Sequence, residues 1–320
     1  MTSDSGGTLQ DVGEFGLIAR ITDQASVENP GVVVGPGDDT AVVAAPDGRV
    51  AITVDMLVEG KHFRQDWSTP IDVGRKAAAA SLADVAAMGA RPTSLVVGFG
   101  APGDLPAAWA ISCTAGLREE AAQAGAVLVG GDVVEAPQIV ISVTALGDLE
   151  GREPVLRSGA RVGDTLAIAG RFGWAAAGLA LLSRGFRSPK VLVDAHRFPL
   201  PPYSAGVAAA QSGATSMIDV SDGLVADARL VAEASRVVLS IATAGWDIPE
   251  PMQAAAAAYN VDPVEWMLAG GEDHALLATF PPGTPLPDGF VVIGSVDAGE
   301  PGVLVDGAAR AGSGGHRHFG

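Results

Sequence analysis

The segment Asp219-Val220-Ser221-Asp222-Gly223-Leu224 packs two carboxylates and a hydroxyl into the turn between an apolar run and a helical pattern. The run before it, Ala214-Thr215-Ser216-Met217-Ile218, reads as a short buried strand, and Leu224 to Ala234 has helical apolar spacing. Asp222 is predicted to stand where a helix N-cap belongs. Capping accounts for one carboxylate and leaves Asp219 at a strand end without an evident partner. Similar placements recur at Gly37-Asp38-Asp39, Thr53-Val54-Asp55, Ala83-Asp84, Gly130-Gly131-Asp132 and Gly271-Glu272-Asp273, each with an acid beside glycine or at the end of an apolar run.

Strand ends and helix starts tend to gather at one edge of a sheet, so Asp39, Asp55, Asp84, Asp132, Asp219 and Asp222 are candidates for one pocket. Carboxylates about 6 Å apart repel by roughly 3 kcal/mol per pair at an effective dielectric near 20, and such a pocket needs cations. With oxygen donors and no Cys or His at zinc spacing, the fitting ion is hard, and Mg²⁺ is the usual choice where phosphates add ligands. An acidic pocket filled with Mg²⁺ becomes a polyphosphate site by charge inversion. Neither Lys61 nor Lys76 lies in a Walker A sequence, and the protein-kinase signatures are absent. Gly98-Phe99-Gly100-Ala101-Pro102-Gly103 matches G-x-G-x-x-G, but Pro102 and Pro106 interrupt the helix such a fingerprint must open, so a dinucleotide fold is not expected.

The chain has 320 residues, enough for two domains with cores of their own. Its 37 acidic and 20 basic residues give a net charge of −17, which excludes a basic face for duplex nucleic acid or an anionic membrane. No apolar stretch approaches the roughly 20 residues of a membrane helix. The polar start, Met1 to Gly7, has neither a basic n-region nor an apolar h-region, so the expected location is cytoplasmic. Cys113, the one cysteine, lies in an Ala-rich helical pattern and is read as core packing.

These residues need elements to hold them. A short helix is predicted over 15–21, two strands over 41–45 and 50–54 joined in a hairpin by Pro46-Asp47-Gly48, and a helix over 72–89 that places Asp84 on the face of Ala77, Ala80, Ser81 and Met88. Strand 95–99, a helix ending near Ala124, a strand running from Val127 into Gly130-Gly131-Asp132 and a strand over 139–146 follow. The polar stretch 147–163 marks a boundary near 148, giving an N-terminal domain 1–148 and a C-terminal domain 149–320. The second half alternates: strand 164–169, helices 174–184 and 203–212, strand 215–219, helix 223–235, strand 237–242, helix 251–258, strands 275–280 and 290–294, then a Gly-rich tail. The fold class is α/β or α+β in both halves.

Taken together, Gly37-Asp38-Asp39, Thr53-Val54-Asp55, Leu57-Val58-Glu59-Gly60 with His62-Phe63, Ser81 to Ala90, Gly130-Gly131-Asp132, Asp219 to Leu224 and Gly270-Gly271-Glu272-Asp273 resemble the motifs of the thiamine-monophosphate kinase family, in family order over about residues 14–319. That family shares a superfamily with aminoimidazole ribonucleotide synthetase, selenophosphate synthetase and the carbamoyl-handling hydrogenase maturation factor. The resemblance implies a homodimer whose N-terminal domains join strands in a shared barrel, each C-terminal α/β domain closing a site. It implies direct transfer of the ATP γ-phosphoryl group onto thiamine monophosphate, with several Mg²⁺ ions and room for K⁺. By motif match Asp39, Thr53, Asp55, Asp84, Asp132, Asp219 and Asp222 would hold metal, with Val54 contributing through its carbonyl. Gly131, Asp132, Arg157 and Ser221 would contact ATP, and His62, Glu272 and His316 the thiamine moiety. Asp222 and Arg157 would act on the transferring group, because phosphoryl transfer to an ionised acceptor needs positioning and neutralisation more than a base.

Four departures stand out. Val54 replaces a second Thr, Ser81 and Ala83 replace Asn and Ser around the helical Asp, His274 replaces a common Tyr, and His316 stands where an aromatic would stack on the pyrimidine. His196 is expected to be a surface or satisfied residue. Cys113 fits neither the N-terminal reactive Cys of selenophosphate synthetase nor the C-terminal Cys of the maturation factor. Aminoimidazole ribonucleotide synthetase remains the alternative enzyme, and a non-catalytic divalent-cation-binding protein the alternative of another class.

Overall fold

The computed structural model describes residues 7–22, 29–34, 41–310 and 315. Cα packing divides the chain into one unit of residues 1–85 with 91–151 and a second of 86–90 with 152–320.

The first unit carries α1 (Leu9–Thr22), β1 (Val32–Val34), β2 (Val42–Val43), β3 (Ala51–Val58), α2 (Pro70–Ala87, its last turn assigned to the second unit), β4 (Arg91–Ala101), α3 (Ala107–Gln123), β5 (Val127–Glu135) and β6 (Val140–Asp148). Four strands form one sheet in the order β3-β6-β4-β5, and β1 pairs with β2 apart from it. The expected hairpin of 41–54 does not form. Its turn exists, with Gly48 N–H bonded to Ala45 O at 3.0 Å, but β3 pairs antiparallel with β6 over eight residues, Ala51 opposite Gly147 through Val58 opposite Val140. A full-length ladder with a distant strand outweighs the few bonds a two-residue β2 could offer.

Strand β3 shows why alternation matters here. Its odd residues Thr53, Asp55 and Leu57 turn inward, while Ile52, Val54 and Met56 stand 69%, 59% and 55% exposed on the other face. Helix α2 is rich in alanine because it is pressed closely into the unit, with Ala77, Ala78, Ala79, Leu82 and Ala83 wholly buried.

The second unit contains a 3₁₀ turn (Arg157–Gly159), β7 (Thr165–Ala169), α4 (Trp174–Ser183), α5 (Lys190–Arg197), α6 (Tyr203–Gln211), β8 (Ser216–Val220), α7 (Leu224–Ser235), β9 (Val238–Ile241), α8 (Glu250–Tyr259), α9 (Pro263–Ala269), β10 (Ala275–Phe280), β11 (Phe290–Asp297), β12 (Gly302–Val305) and β13 (Ala308–Ala309). Its seven-stranded sheet runs β13-β12-β9-β11-β7-β10-β8, with β9–β12 its one parallel pair among the described residues. Strands β8 and β10 are buried at every residue, so both of their faces are covered. Ile168, Ile218, Val220, Leu224, Ala228, Leu239 and Leu277 share the core between sheet and α7. No described helix is long and apolar enough to cross a membrane.

Candidate active site

In the first unit, two residues of β3 meet two of α2. Thr53 Oγ1 donates to Asp84 Oδ2 at 2.7 Å, and Ser81 Oγ lies 2.8 Å from Asp55 Oδ2 and 3.0 Å from the carbonyl of Val143. Strand alternation puts Thr53 and Asp55 on one face, and the helical step of three puts Ser81 and Asp84 opposite them. The result is two hydroxyl–carboxylate pairs side by side. Asp55 lies within β3 rather than at its end, because the ladder to β6 runs on to Val58. Val54 sits on the opposite, exposed face, where its backbone carbonyl is its one polar ligand atom.

Asp132 also lies within a strand. It is in register with Gly98, and that row continues through Ser142 to Met56 of β3. Three strand spacings, about 14 Å, separate its row position on β5 from that on β3. The neighbouring Gly131 is glycine for a steric reason, since a Cβ there would lie 2.3 Å from Val97 O.

His62 follows β3 in a turn opened by Gly60 at φ 78°. Its Nδ1 accepts the Val58 N–H at 3.0 Å, which puts the ring proton of a neutral imidazole on Nε2. Buried Lys76 donates from Nζ to the His62 carbonyl at 3.0 Å and fixes the turn from α2. Asp39 lies outside the described residues.

In the second unit, β8 ends at Val220 and α7 starts at Leu224. Asp222 is not the N-cap: Gly223 holds that position with φ 136° and ψ 146°, and no side chain caps the helix. Asp227 Oδ2 accepts the N–H groups of Asp222 at 3.0 Å and Gly223 at 3.1 Å. An acid one turn inside the helix thereby ties down the turn that precedes it, and the Asp222 carboxylate has no hydrogen-bond or ion-pair partner among the described residues. Burial first, and then the neighbouring Asp219 charge, push the Asp227 carboxyl up to about 7.

Gly271-Glu272-Asp273-His274 is strapped along this turn. Glu272 N–H donates to Ser221 O at 2.8 Å and His274 N–H to Val220 O at 3.1 Å. A Cβ at Gly271 would lie 2.2 Å from Ser221 O, so no larger residue fits. Glu272 and His274 both hold left-handed backbone, φ 67° and 55°, a conformation that persists in such residues only where the surroundings enforce it. Their side chains diverge. Glu272 Oε2 lies 3.2 Å from His196 Nδ1, Asp273 Oδ1 accepts the Ala175 N–H at 3.0 Å, and His274 Nδ1 lies 3.0 Å from Asp219 Oδ2. Burial pushes the Asp273 carboxyl up to about 7 against the opposing pull of the α4 N–H groups.

Arg157 stands exposed on the 3₁₀ turn, near the start of β8 rather than the end that bears Asp219: Leu156 O accepts the Met217 N–H, and Arg157 O accepts from Ser235 Oγ at the last residue of α7. His316 lies outside the described residues.

His196 is a buried residue of α5 rather than a surface one, and Asp227 was legible only as an acid in the first turn of a helix. Among the described residues no three acidic, imidazole or thiol groups converge on one metal position. Cys113 is buried and its thiol is pushed up to about 12 by that burial, which makes it no nucleophile at neutral pH. The first unit offers hydroxyl–carboxylate pairs and the second carboxylates at the turn between β8 and α7, oxygen donors suited to a hard cation.

Residues 37–149 match the family described as AIR synthase related protein, N-terminal domain. Over 315 residues the chain is 52% identical to the thiamine-monophosphate kinase of Mycobacterium tuberculosis, covering 98% of this chain and 93% of that one. It is 40% identical to the thiamine-monophosphate kinase of Corynebacterium glutamicum over 325 residues, covering 98% and 96%. Among solved structures it is similar to AaThiL complexed with AMPPCP and TMP, with a TM-score of 0.80, 33% identity and coverage of 98% of this chain and 99% of that one.

Proposed function

The chain belongs to the thiamine-monophosphate kinase family, and from that premise we infer that it transfers the γ-phosphoryl group of ATP onto the phosphate of thiamine monophosphate, giving thiamine diphosphate and ADP. The observation that carries this is the likeness, over 98% of the chain, to a structure holding an ATP analogue and the acceptor.

The residue roles belong to the same proposal. Asp55, Asp84, Asp132, Asp219 and Asp222, with Thr53, the Val54 carbonyl and Asp39, are assigned to Mg²⁺, and K⁺ is a further candidate ion. The donor chemistry fits. Mg²⁺ binds through one or two carboxylates plus waters and substrate phosphates rather than a closed protein cage, as the hydroxyl–carboxylate pairs and Asp222, whose carboxylate has no partner among the described residues, allow. Bound there, the ions would neutralise charge on the transferring phosphoryl group. Gly131, Asp132, Arg157 and Ser221 are assigned to ATP, Asp222 and Arg157 to the transferring group, and His62, Glu272 and His316 to the thiamine moiety. The fixed tautomer of His62 suits it to donate from Nε2 to an acceptor atom.

Homodimerisation is assigned to the N-terminal domain, residues 1–148, and the face of β3 bearing Ile52, Val54 and Met56 supports it. Three large apolar side chains in a row on an edge strand are a surface that a second copy would cover. The C-terminal domain, residues 149–320, supplies Asp219, Asp222 and Glu272 to the same reaction. A cytoplasmic location is part of the reading, because ATP is the co-substrate. Activity assayed with Mg-ATP and thiamine monophosphate, with thiamine as the alternative acceptor, tests the function. Magnesium titration and sedimentation test the ions and the dimer.

A further inference from the structure

We propose that His274 is a positioning residue for Asp219: its Nδ1–H holds the carboxylate oxygen Oδ2, so that Oδ1 is the oxygen presented to Mg²⁺. The inference rests on the reading of Asp219 as a metal ligand and extends it to a side chain that itself contributes no ligand atom.

Strand pairing brings the two residues together. Strand β10 runs antiparallel to β8 with Leu276 opposite Asp219 and Ala275 opposite Val220, so His274, one residue before the ladder, is diagonal to Asp219. A diagonal neighbour across a strand pair is within reach of an aromatic-sized ring. The His274 N–H, bonded to Val220 O at 3.1 Å, and the left-handed backbone at φ 55° fix the point from which that ring extends. Its Nδ1 lies 3.0 Å from Asp219 Oδ2. Both residues are buried, His274 at 8% and Asp219 at 4% exposure.

The direction of the bond follows from the chemistry of its ends. A metal-ligating carboxylate is ionised, and an ionised carboxylate only accepts. Nδ1 is therefore the donor, in the neutral Nδ1–H ring and in the imidazolium alike, and the contact does not depend on the charge of His274. The Asp219 carboxylate has no other hydrogen-bond or ion-pair partner among the described residues. One oxygen is thus engaged and the other is not. Strand β8 is buried at every residue and holds the Asp219 main chain, which leaves rotation of the carboxylate as the freedom that His274 restrains. Hydrogen bonds to a ligating carboxylate orient it and set its affinity for metal, so the effect falls on cation binding rather than on recognition of the acceptor.

The test is calorimetric titration of Mg²⁺ in the presence of AMPPCP, with His274→Asn, His274→Gln, His274→Phe and Asp219→Asn. Asn carries an amide N–H near the position of Nδ1 and suits left-handed backbone, Gln carries one near Nε2, and Phe keeps the ring without a donor. The half-saturating Mg²⁺ concentration should rise about tenfold in His274→Phe and His274→Gln, the size that follows loss of an outer-shell partner, and stay within about threefold in His274→Asn. A role in packing alone would reverse that order and leave His274→Phe nearest the unmodified chain. In the Asp219→Asn background His274→Phe should add less than about twofold, because the two act as a unit. Ring ¹⁵N spectra of the metal-free protein should show His274 Nδ1 protonated. If Asp219→Asn weakens Mg²⁺ binding while folded His274→Phe and His274→Gln leave it unchanged, or if Nδ1 carries no proton, this inference alone is overturned. If Asp219→Asn is itself silent, the metal-ligand assignment falls and the inference with it. Failure of the unmodified chain to phosphorylate thiamine monophosphate while it still binds Mg²⁺ with AMPPCP would instead overturn the functional reading. Should His274→Phe not fold, His274→Asn and His274→Gln decide the matter, and equal affinities in those two would contradict the inference.

Discussion

Asp227 Oδ2 accepts the backbone N–H of Asp222 at 3.0 Å, while Gly223 rather than Asp222 stands at the N-cap of α7. The neighbouring N–H of Gly223 goes to the same oxygen. The turn before the helix is thus held from inside it, and the Asp222 carboxylate has no hydrogen-bond or ion-pair partner among the described residues.

Two substitutions separate these duties. Asp227→Ala removes the acceptor of the Asp222 and Gly223 N–H groups and should destabilise the protein by about 1–3 kcal/mol, the usual cost of a donor left without its partner. Asp222→Ala should change stability by less than about 0.5 kcal/mol, and Asp222→Asn should lower turnover by more than the roughly 10–100-fold that follows loss of an outer-shell metal partner. Chemical denaturation alongside initial rates would show both. A cap-sized loss of stability in Asp222→Ala would restore the capping reading.

The Asp273 carboxyl is 3% exposed, its Oδ2 is buried without a hydrogen-bond partner among the described residues, and burial pushes it up from an ordinary 3.8 to about 7. The native state therefore holds a proton that the unfolded chain releases at lower pH. The stabilisation is fully present below about pH 4 and is lost as pH rises through 7. Asp227 titrates in the same sense. In metal-free buffer Tm should fall between about pH 4 and 7 and level off above that. Asp273→Asn keeps a carbonyl oxygen for the Ala175 N–H and removes the charge, so its Tm should fall less over that range. Parallel curves for the two proteins would contradict the assignment.

Thr53→Val removes the hydroxyl that donates to Asp84 Oδ2. A partly buried carboxylate deprived of a donor costs about 1–3 kcal/mol, and the carboxylate gains freedom to move. The magnesium concentration for half-maximal activity should rise several-fold, and magnesium binding in the presence of nucleotide, read by calorimetry, should weaken in parallel. Ser81→Ala should act likewise through Asp55.

Met56→Glu or Val54→Asp puts charge on the exposed apolar face of β3 without touching the inward Thr53 and Asp55. Analytical ultracentrifugation should show a monomer where the unmodified chain sediments as a dimer. An unchanged sedimentation coefficient would remove this face from the proposed interface.

Much of the fold is legible in the sequence. The run Ala275–Phe280, apolar but for Thr279, reads as a strand because it is a fully buried one, and α7 declares itself by its apolar spacing. Pairing was not legible. Pro46-Asp47-Gly48 does turn, but strand β3 belongs to β6, almost ninety residues away, and no local signal carries that. Helix α5 is short and hidden behind Pro189, and α9 is shorter still, so neither offers enough periods to read. Strands β12 and β13 lie in a glycine-rich stretch that resembles a tail. At the site, the acids were findable by type and neighbours, whereas their partners were not: Asp84 with Thr53, Asp219 with His274 and Glu272 with His196 are joined only by the fold.

The most direct measurement is incubation of the purified protein with Mg-ATP and thiamine monophosphate, with products identified by mass spectrometry and thiamine and aminoimidazole ribonucleotide precursors as control acceptors. Thiamine diphosphate and ADP in equal amounts, formed from thiamine monophosphate and not from the controls, is the result the account predicts. ADP without thiamine diphosphate, or turnover of a control acceptor instead, would contradict it.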